Sequence, residues 1–184
     1  MRFIIIKKNF SDSEMLINVL KNLLGKNIRY DEDDKFITIY HDYISDEDII
    51  KVLNSLGEDL MINLVSYISS FDDNKLKEEL SIAKNILANN KIPSGVYHFK
   101  SLLLKKPEIN NKRQILDLIL DSTGVGEDFI IDFAKNDLNV SKASKAMYIH
   151  RNTMIYKLDK LKETSGFDLR CFLDAYILYN LLDN

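Results

Sequence analysis

The chain has one cysteine, two prolines and no long apolar run, and each shortage closes off a class of protein. A lone Cys171 excludes an internal disulfide and a cysteine-based zinc site, and a buried, inert thiol is expected of it. The apolar opening Phe3-Ile4-Ile5-Ile6 meets Lys7 and Lys8 at once, too short for a signal-peptide core or a membrane span. Cytoplasmic residence with no membrane partner is therefore expected. The three histidines, His41, His98 and His150, share no metal-ligand spacing, so no metal is expected either. His41-Asp42 lacks a nucleophile at a fixed offset that would complete a general-base arrangement. A net charge of -3 does not announce a nucleic-acid binder. Repeats and low-complexity tracts are missing as well. What remains is 46% hydrophobic and 29% charged over 184 residues, the make-up of a globular protein with a real core, in one large domain or two small ones.

The first half alternates between strand and helix patterns. Phe3 to Lys7 predicts a buried strand, and Asp12 to Leu24 a helix stopped by Gly25. Asn27 to Tyr30 and Lys35 to Tyr40 predict a hairpin around the polar turn Asp31-Glu32-Asp33-Asp34. That acidic turn could hold a divalent cation, but exposed acids of this kind are ordinarily just solvated. Ser45 to Leu56 predicts a helix with a Ser-Asp-Glu-Asp cap and a stop at Gly57. Met61 to Ile68 predicts a strand and Asn74 to Ala88 a helix. The order β-α-β-β-α-β-α is the split βαβ arrangement of ferredoxin-like folds. Both prolines, Pro93 and Pro107, lie between Lys91 and Glu108, and Lys91-Ile92-Pro93-Ser94-Gly95 is the clearest break in the chain. Helices are predicted at Gln114–Leu120 and Phe129–Asn136 beyond it. A final one at Asp168–Leu182 is apolar almost all round, hence deeply buried or shared with a second subunit.

Residues Asn139 to Gly166 have the pattern of a DNA-reading helix-turn-helix. Ala143 and Met147 are apolar positions of a short first helix, and Tyr148-Ile149-His150 form the turn. A second helix starts near Arg151, with Ile155, Leu158 and Leu161 inward at helical spacing. Its first turn carries Arg151, Asn152 and Thr153, where a recognition helix meets base edges, with Tyr156 and Lys157 one turn on and Lys160 beyond. Arg151 suits guanine and Asn152 suits adenine, so these two are expected to read bases. Ser141, Thr153, Lys157 and Lys160 are expected to fix register on phosphates, and His150 to cap the helix and meet a phosphate. From Asn139 to Glu163, Lys142, Lys145, Arg151, Lys157, Lys160 and Lys162 stand against Asp159 and Glu163, a local charge of +4 on an acidic chain. Phosphate binding by such a face should fall steeply with salt.

The block from Leu138 to Ala175 resembles the C-terminal helix-turn-helix of the PucR/CdaR family of bacterial transcription regulators. Ile149-His150-Arg151-Asn152-Thr153 carries the resemblance, followed at family-like spacing by Tyr156, Leu158 and the Gly166-Phe167-Asp168 turn. Two positions depart from the family: Lys157 stands where arginine is usual, and Ser144 where a small apolar residue is usual. Lysine keeps the charge and loses the planar fork that grips guanine or phosphate bidentately.

Such regulators often carry a degenerate GGDEF-like domain ahead of the helix-turn-helix, which the element order of the first half also fits. The resemblance therefore implies an α+β protein, with a ferredoxin-like, degenerate GGDEF-like βαββαβ domain over residues 1–108 and an all-α DNA-binding domain over 109–184. An active cyclase of that fold needs acids on the first strand and glycines at the hairpin to admit magnesium and triphosphate. Phe3 to Lys7 has no acid, and Asp31 to Asp34 has no glycine, so neither an enzyme nor a cofactor is expected. Family members also carry a ligand-sensing domain for which this chain has no room, so its input is absent or comes from a protein partner through the N-terminal domain. The expectation is a transcription regulator that binds double-stranded DNA as a homodimer. The alternative is a protein-protein interaction module derived from one and no longer reading DNA.

Overall fold

The computed structural model describes residues 1–9, 13–24, 28–42, 45–71, 74–105 and 107–182. The helix start expected at Asp12, the helix stop at Gly25 and the strand start at Asn27 lie outside the described residues. The chain is of mixed α+β type and divides into two compact units, Met1–Glu108 and Ile109–Asn184.

The first unit contains β1 (Arg2–Lys7), α1 (Ser13–Leu24), β2 (Arg29–Glu32), β3 (Phe36–His41) and α2 (Asp46–Asp59). β4 (Val65–Ile68), α3 (Leu76–Asn89), β5 (Gly95–Tyr97) and α4 (Phe99–Leu103) follow. The sheet order is β2-β3-β1-β4-β5, with β1 antiparallel to β3 and β4, β2 antiparallel to β3, and β5 parallel to β4. Strand β1 can be apolar along its whole centre because both of its faces are covered. Ile4 and Ile6 pack with Leu16, Ile17 and Leu20 of α1 and Ile49, Leu53 and Leu56 of α2. On the other face Phe3 stacks on Tyr67, with ring centroids 6.1 Å apart, and α3 closes over them. The tie to α3 is Glu79, which accepts hydrogen bonds from Tyr67 Oη at 2.6 Å and from the backbone N–H of Phe71 at 3.2 Å. Burial raises the Glu79 carboxyl above its ordinary value despite these bonds.

Several boundaries differ from the sequence expectation. Asp31 and Glu32 belong to β2, so the hairpin turns later, where Asp33 Oδ1 accepts from the N–H of Lys35 and Phe36 at 3.0 and 2.9 Å. The acids there are paired as well as solvated: Lys8 meets Glu32 and Lys84 meets Asp33, each at 2.8 Å. Helix α2 runs through Gly57 to Asp59, because Leu60 extends the apolar stripe of Ile49, Leu53 and Leu56 by another turn. Its end then overruns the expected start of the next strand, which begins at Val65 and not at Met61. His41 is buried at 4% exposure with neither ring nitrogen hydrogen-bonded among the described residues.

The second unit is all helical: α5 (Lys112–Leu120), α6 (Glu127–Lys135), α7 (Val140–Ala146), α8 (Arg151–Ser165) and α9 (Phe172–Leu181). Its core joins Ile115 and Ile119 of α5, Phe129 and Phe133 of α6, Leu158 and Leu161 of α8, and Ile177 and Leu178 of α9. The last helix starts four residues later than expected, because Asp168 to Cys171 form a turn closed by the Cys171 N–H donating to the Asp168 carbonyl at 2.8 Å. It is not buried all round either. Phe172, Leu173 and Tyr179 are exposed, and Cys171, expected to be buried, is exposed with them.

Candidate nucleic-acid interface

Local chemistry builds the site. Asn139 caps α7, its Oδ1 accepting from the N–H of Ser141 and Lys142 at 3.0 and 3.1 Å. Ala143 and Ser144 are its buried positions, and the hydroxyl of Ser144 is satisfied by donating to the Ser141 carbonyl at 3.2 Å. The serine thus fits a packed helix without an unpaired polar group. Met147 ends the helix, half-buried. The chain then reverses at Tyr148, whose backbone is left-handed at φ 53, and the Ile149 N–H donates to the Ser144 carbonyl at 3.0 Å. His150 caps α8 as expected of it, its Nδ1 accepting from the Asn152 N–H at 3.2 Å.

Along α8, Met154, Leu158, Leu161 and Ser165 are buried at steps of four, three and four, the stripe of one helix face. Met154 takes the fully buried place, whereas Ile155, expected inward, is half-buried. Gly166 ends the helix in the left-handed region at φ 75. Just beyond it Arg170 clamps Asp168, and that guanidinium holds the Asp168 carboxyl down to about 2, against its burial. Arg170 also meets Asp159 of α8 at 2.8 Å, fixing the end of the helix.

Arg151, Asn152 and Thr153 are all exposed on the first turn of α8; Asn152 lies on the side away from the buried stripe, and Tyr156, one turn on from it, is exposed at 64%. His150 and Ser141 are exposed near them in sequence, at the starts of the two helices. Lys142 is exposed but paired with Asp137 at 2.6 Å. Lys157 is engaged inside the unit. Its Nζ donates to the Gly124 carbonyl at 2.9 Å and lies 5.7 Å from the centroid of the Phe129 ring. Lys160, half-buried, brings its ammonium close to Gly124 as well. The expected set therefore separates into an exposed cluster at the start of α8 and two lysines drawn toward the α5–α6 connection. Sequence reasoning placed Tyr148 in the turn but not in the site, although it is 96% exposed beside that cluster. A bulky residue at a turn position that favours glycine was the available signal.

Residues 132–182 match the sequence pattern of the PucR C-terminal helix-turn-helix domain. The match covers residues 132–182 and leaves the sheet-bearing unit outside it. Two curated proteins are similar to part of the chain. Over 60 residues the chain is 33% identical to the carbohydrate diacid regulator of Escherichia coli (strain K12), covering 33% of this chain and 16% of that protein. Over 47 residues it is 36% identical to the uncharacterized protein YxkF of Bacillus subtilis (strain 168), covering 26% of this chain and 16% of that one. The matched stretch is thus about a sixth of each relative's length. A crystal structure of a regulator of polyketide synthase expression from Bifidobacterium adolescentis shares the fold, with a TM-score of 0.53 and 17% identity over 97% of this chain and 77% of that chain. The likeness thus extends beyond the PucR-type domain, at the level of fold, to the sheet-bearing unit.

Proposed function

We propose that the protein is a transcription regulator that binds double-stranded DNA as a homodimer and reads the major groove with α8. The observation that carries this reading is the first turn of α8, where Arg151, Asn152 and Thr153 are all exposed ahead of the buried stripe that begins at Met154. A helix placed N-terminus first in a major groove would bring these three side chains to base edges. The PucR-type domain over residues 132–182 and the partial likeness to a carbohydrate diacid regulator support the same class. A dimer follows from specificity, because one short helix reads few base pairs and two half-sites read many more. The exposed face of α9, with Phe172, Leu173 and Tyr179, is the surface best suited to a second copy.

In the same reading the sheet-bearing unit is a ferredoxin-like, degenerate GGDEF-like domain that serves assembly or a protein partner, not catalysis. Strand order β2-β3-β1-β4 and the two antiparallel neighbours of β1 support that assignment. No helix among the described residues is long and apolar enough to cross a membrane. A regulator of this class works in the cytoplasm, where its DNA is.

A competing reading, an interaction module without DNA, draws on the net charge of -3 and on the inward engagement of Lys157. Binding to duplex DNA separates the two. Random genomic fragments are selected with the wild-type protein and with the Arg151→Ala/Asn152→Ala double variant. Enriched half-sites are expected from the wild type only, with a loss of roughly 100-fold or more in the variant, since each bidentate base contact contributes about 1–3 kcal/mol. Both proteins should melt at the same temperature. Failure of the wild type to bind at low salt gives the chain to the interaction class.

A further inference from the structure

Tyr148 is the side chain that packing explains least. Its backbone is held at φ 53, a left-handed conformation that disfavours residues with a bulky side chain and that glycine or asparagine adopts readily. No burial offsets that strain, because the side chain is 96% exposed. Its backbone N–H donates to the Lys145 carbonyl at 3.3 Å, a bond that any residue except proline would make. Strain held at a position that returns nothing to the core points to a contact outside the fold.

The surroundings say what kind of contact. Tyr148 precedes the His150 cap by two residues and the exposed Arg151-Asn152-Thr153 turn by three, and the exposed Lys145 lies just before it. A positive, donor-rich rim of this kind suits a polyanion. Met61 has the same left-handed backbone, at φ 51, and is 94% exposed, but it follows Glu58 and Asp59, which would repel one. We propose that Tyr148 contacts DNA, its phenol hydroxyl donating to a backbone phosphate at the edge of the groove that α8 enters. The inference rests on the DNA-reading function proposed above. A phenol suits such a contact because it is a neutral donor on a rigid ring, and so positions the turn on the backbone without reading sequence.

The test compares wild type with Tyr148→Asn and Tyr148→Phe, following thermal unfolding and DNA affinity together. Tyr148→Asn relieves the backbone, so its Tm should stay level or rise by up to roughly 4 °C. Its affinity should nevertheless drop roughly tenfold, and by the same factor on an enriched site and on random DNA, as losing a phosphate contact requires. Tyr148→Phe keeps the ring and the strain, so its Tm should match wild type while its affinity falls about as far. A purely structural tyrosine would move stability and binding in the same direction. Wild-type affinity in either variant, or a lowered Tm in Tyr148→Asn, overturns the inference and leaves the DNA-reading function standing. No DNA binding by the wild type removes that function and the inference with it.

Discussion

At the scale of single residues, His41 shows a polar group whose cost depends on pH. It faces the same side of the sheet as Ile37 and Ile39, with Arg2 opposite it in register on β1. Burial, with the Arg2 guanidinium adding to it, pushes the imidazole below its ordinary value, against the opposing pull of Asp46 and Asp42. The folded state therefore binds fewer protons than the unfolded one below about pH 6.5, the unperturbed histidine value. Stability contributed at this site is constant above that pH and is lost as pH falls below it. Replacing His41 by leucine should raise stability by about 1 kcal/mol, by removing an unpaired buried polar group, and should flatten the pH dependence. Thermal unfolding of both forms from pH 8 to pH 5 checks this, and parallel curves would mean that another group titrates. None of this was legible in His41-Asp42 as a sequence. The dipeptide reads equally as a general base or as a strand end, and only the register opposite Arg2 decides.

At the scale of elements, legibility followed how local the determinants are. Helix α8 begins at Arg151 and ends before Gly166, as read from sequence, because a cap, a stripe and a left-handed glycine all lie within the segment itself. Gly57 carried the same stop signal and was overridden, since Leu60 offered one more apolar turn against the core. The three-residue β5 has too little chain to show a period, and it exists by pairing with β4. The exposed face of α9 was equally hidden, because a helix apolar all round does not say which side its neighbours cover. Gly166 tests how far the local signal reaches. A Cβ there would meet nothing within 4 Å, so the whole penalty of Gly166→Ala is the positive φ of 75. The variant should lose about 1 kcal/mol, with DNA affinity unchanged at temperatures where it stays folded. A denaturant midpoint equal to wild type would show that the turn relaxes, leaving the Arg170–Asp168 clamp to hold the end of α8.

Across the whole molecule, the proposed function raises the question of how a chain of net charge -3 would bind a polyanion. Counting cations in the sequence overstates what reaches DNA, because several are already engaged. Lys142 pairs with Asp137, Lys162 lies 3.3 Å from Asp168, and Lys157 donates to the Gly124 carbonyl. Exposed Lys145 and Arg151 are the cations best placed to release counterions from phosphate. The salt dependence of binding reads that number directly, since each neutralised phosphate adds about 0.9 to the slope of log K against log salt on B-DNA. Lys145→Met should therefore reduce the slope by about 0.9 per protomer. Lys157→Met should leave the slope unchanged and weaken binding at every salt alike, because it frees the Gly124 connection from α8 without removing a phosphate contact. An equal fall in slope for both variants would mean that Lys157 exchanges the Gly124 carbonyl for a phosphate when DNA arrives. The family's arginine and this chain's lysine would then do the same work, and the -3 chain would draw on a cation that it keeps folded inward until DNA is present.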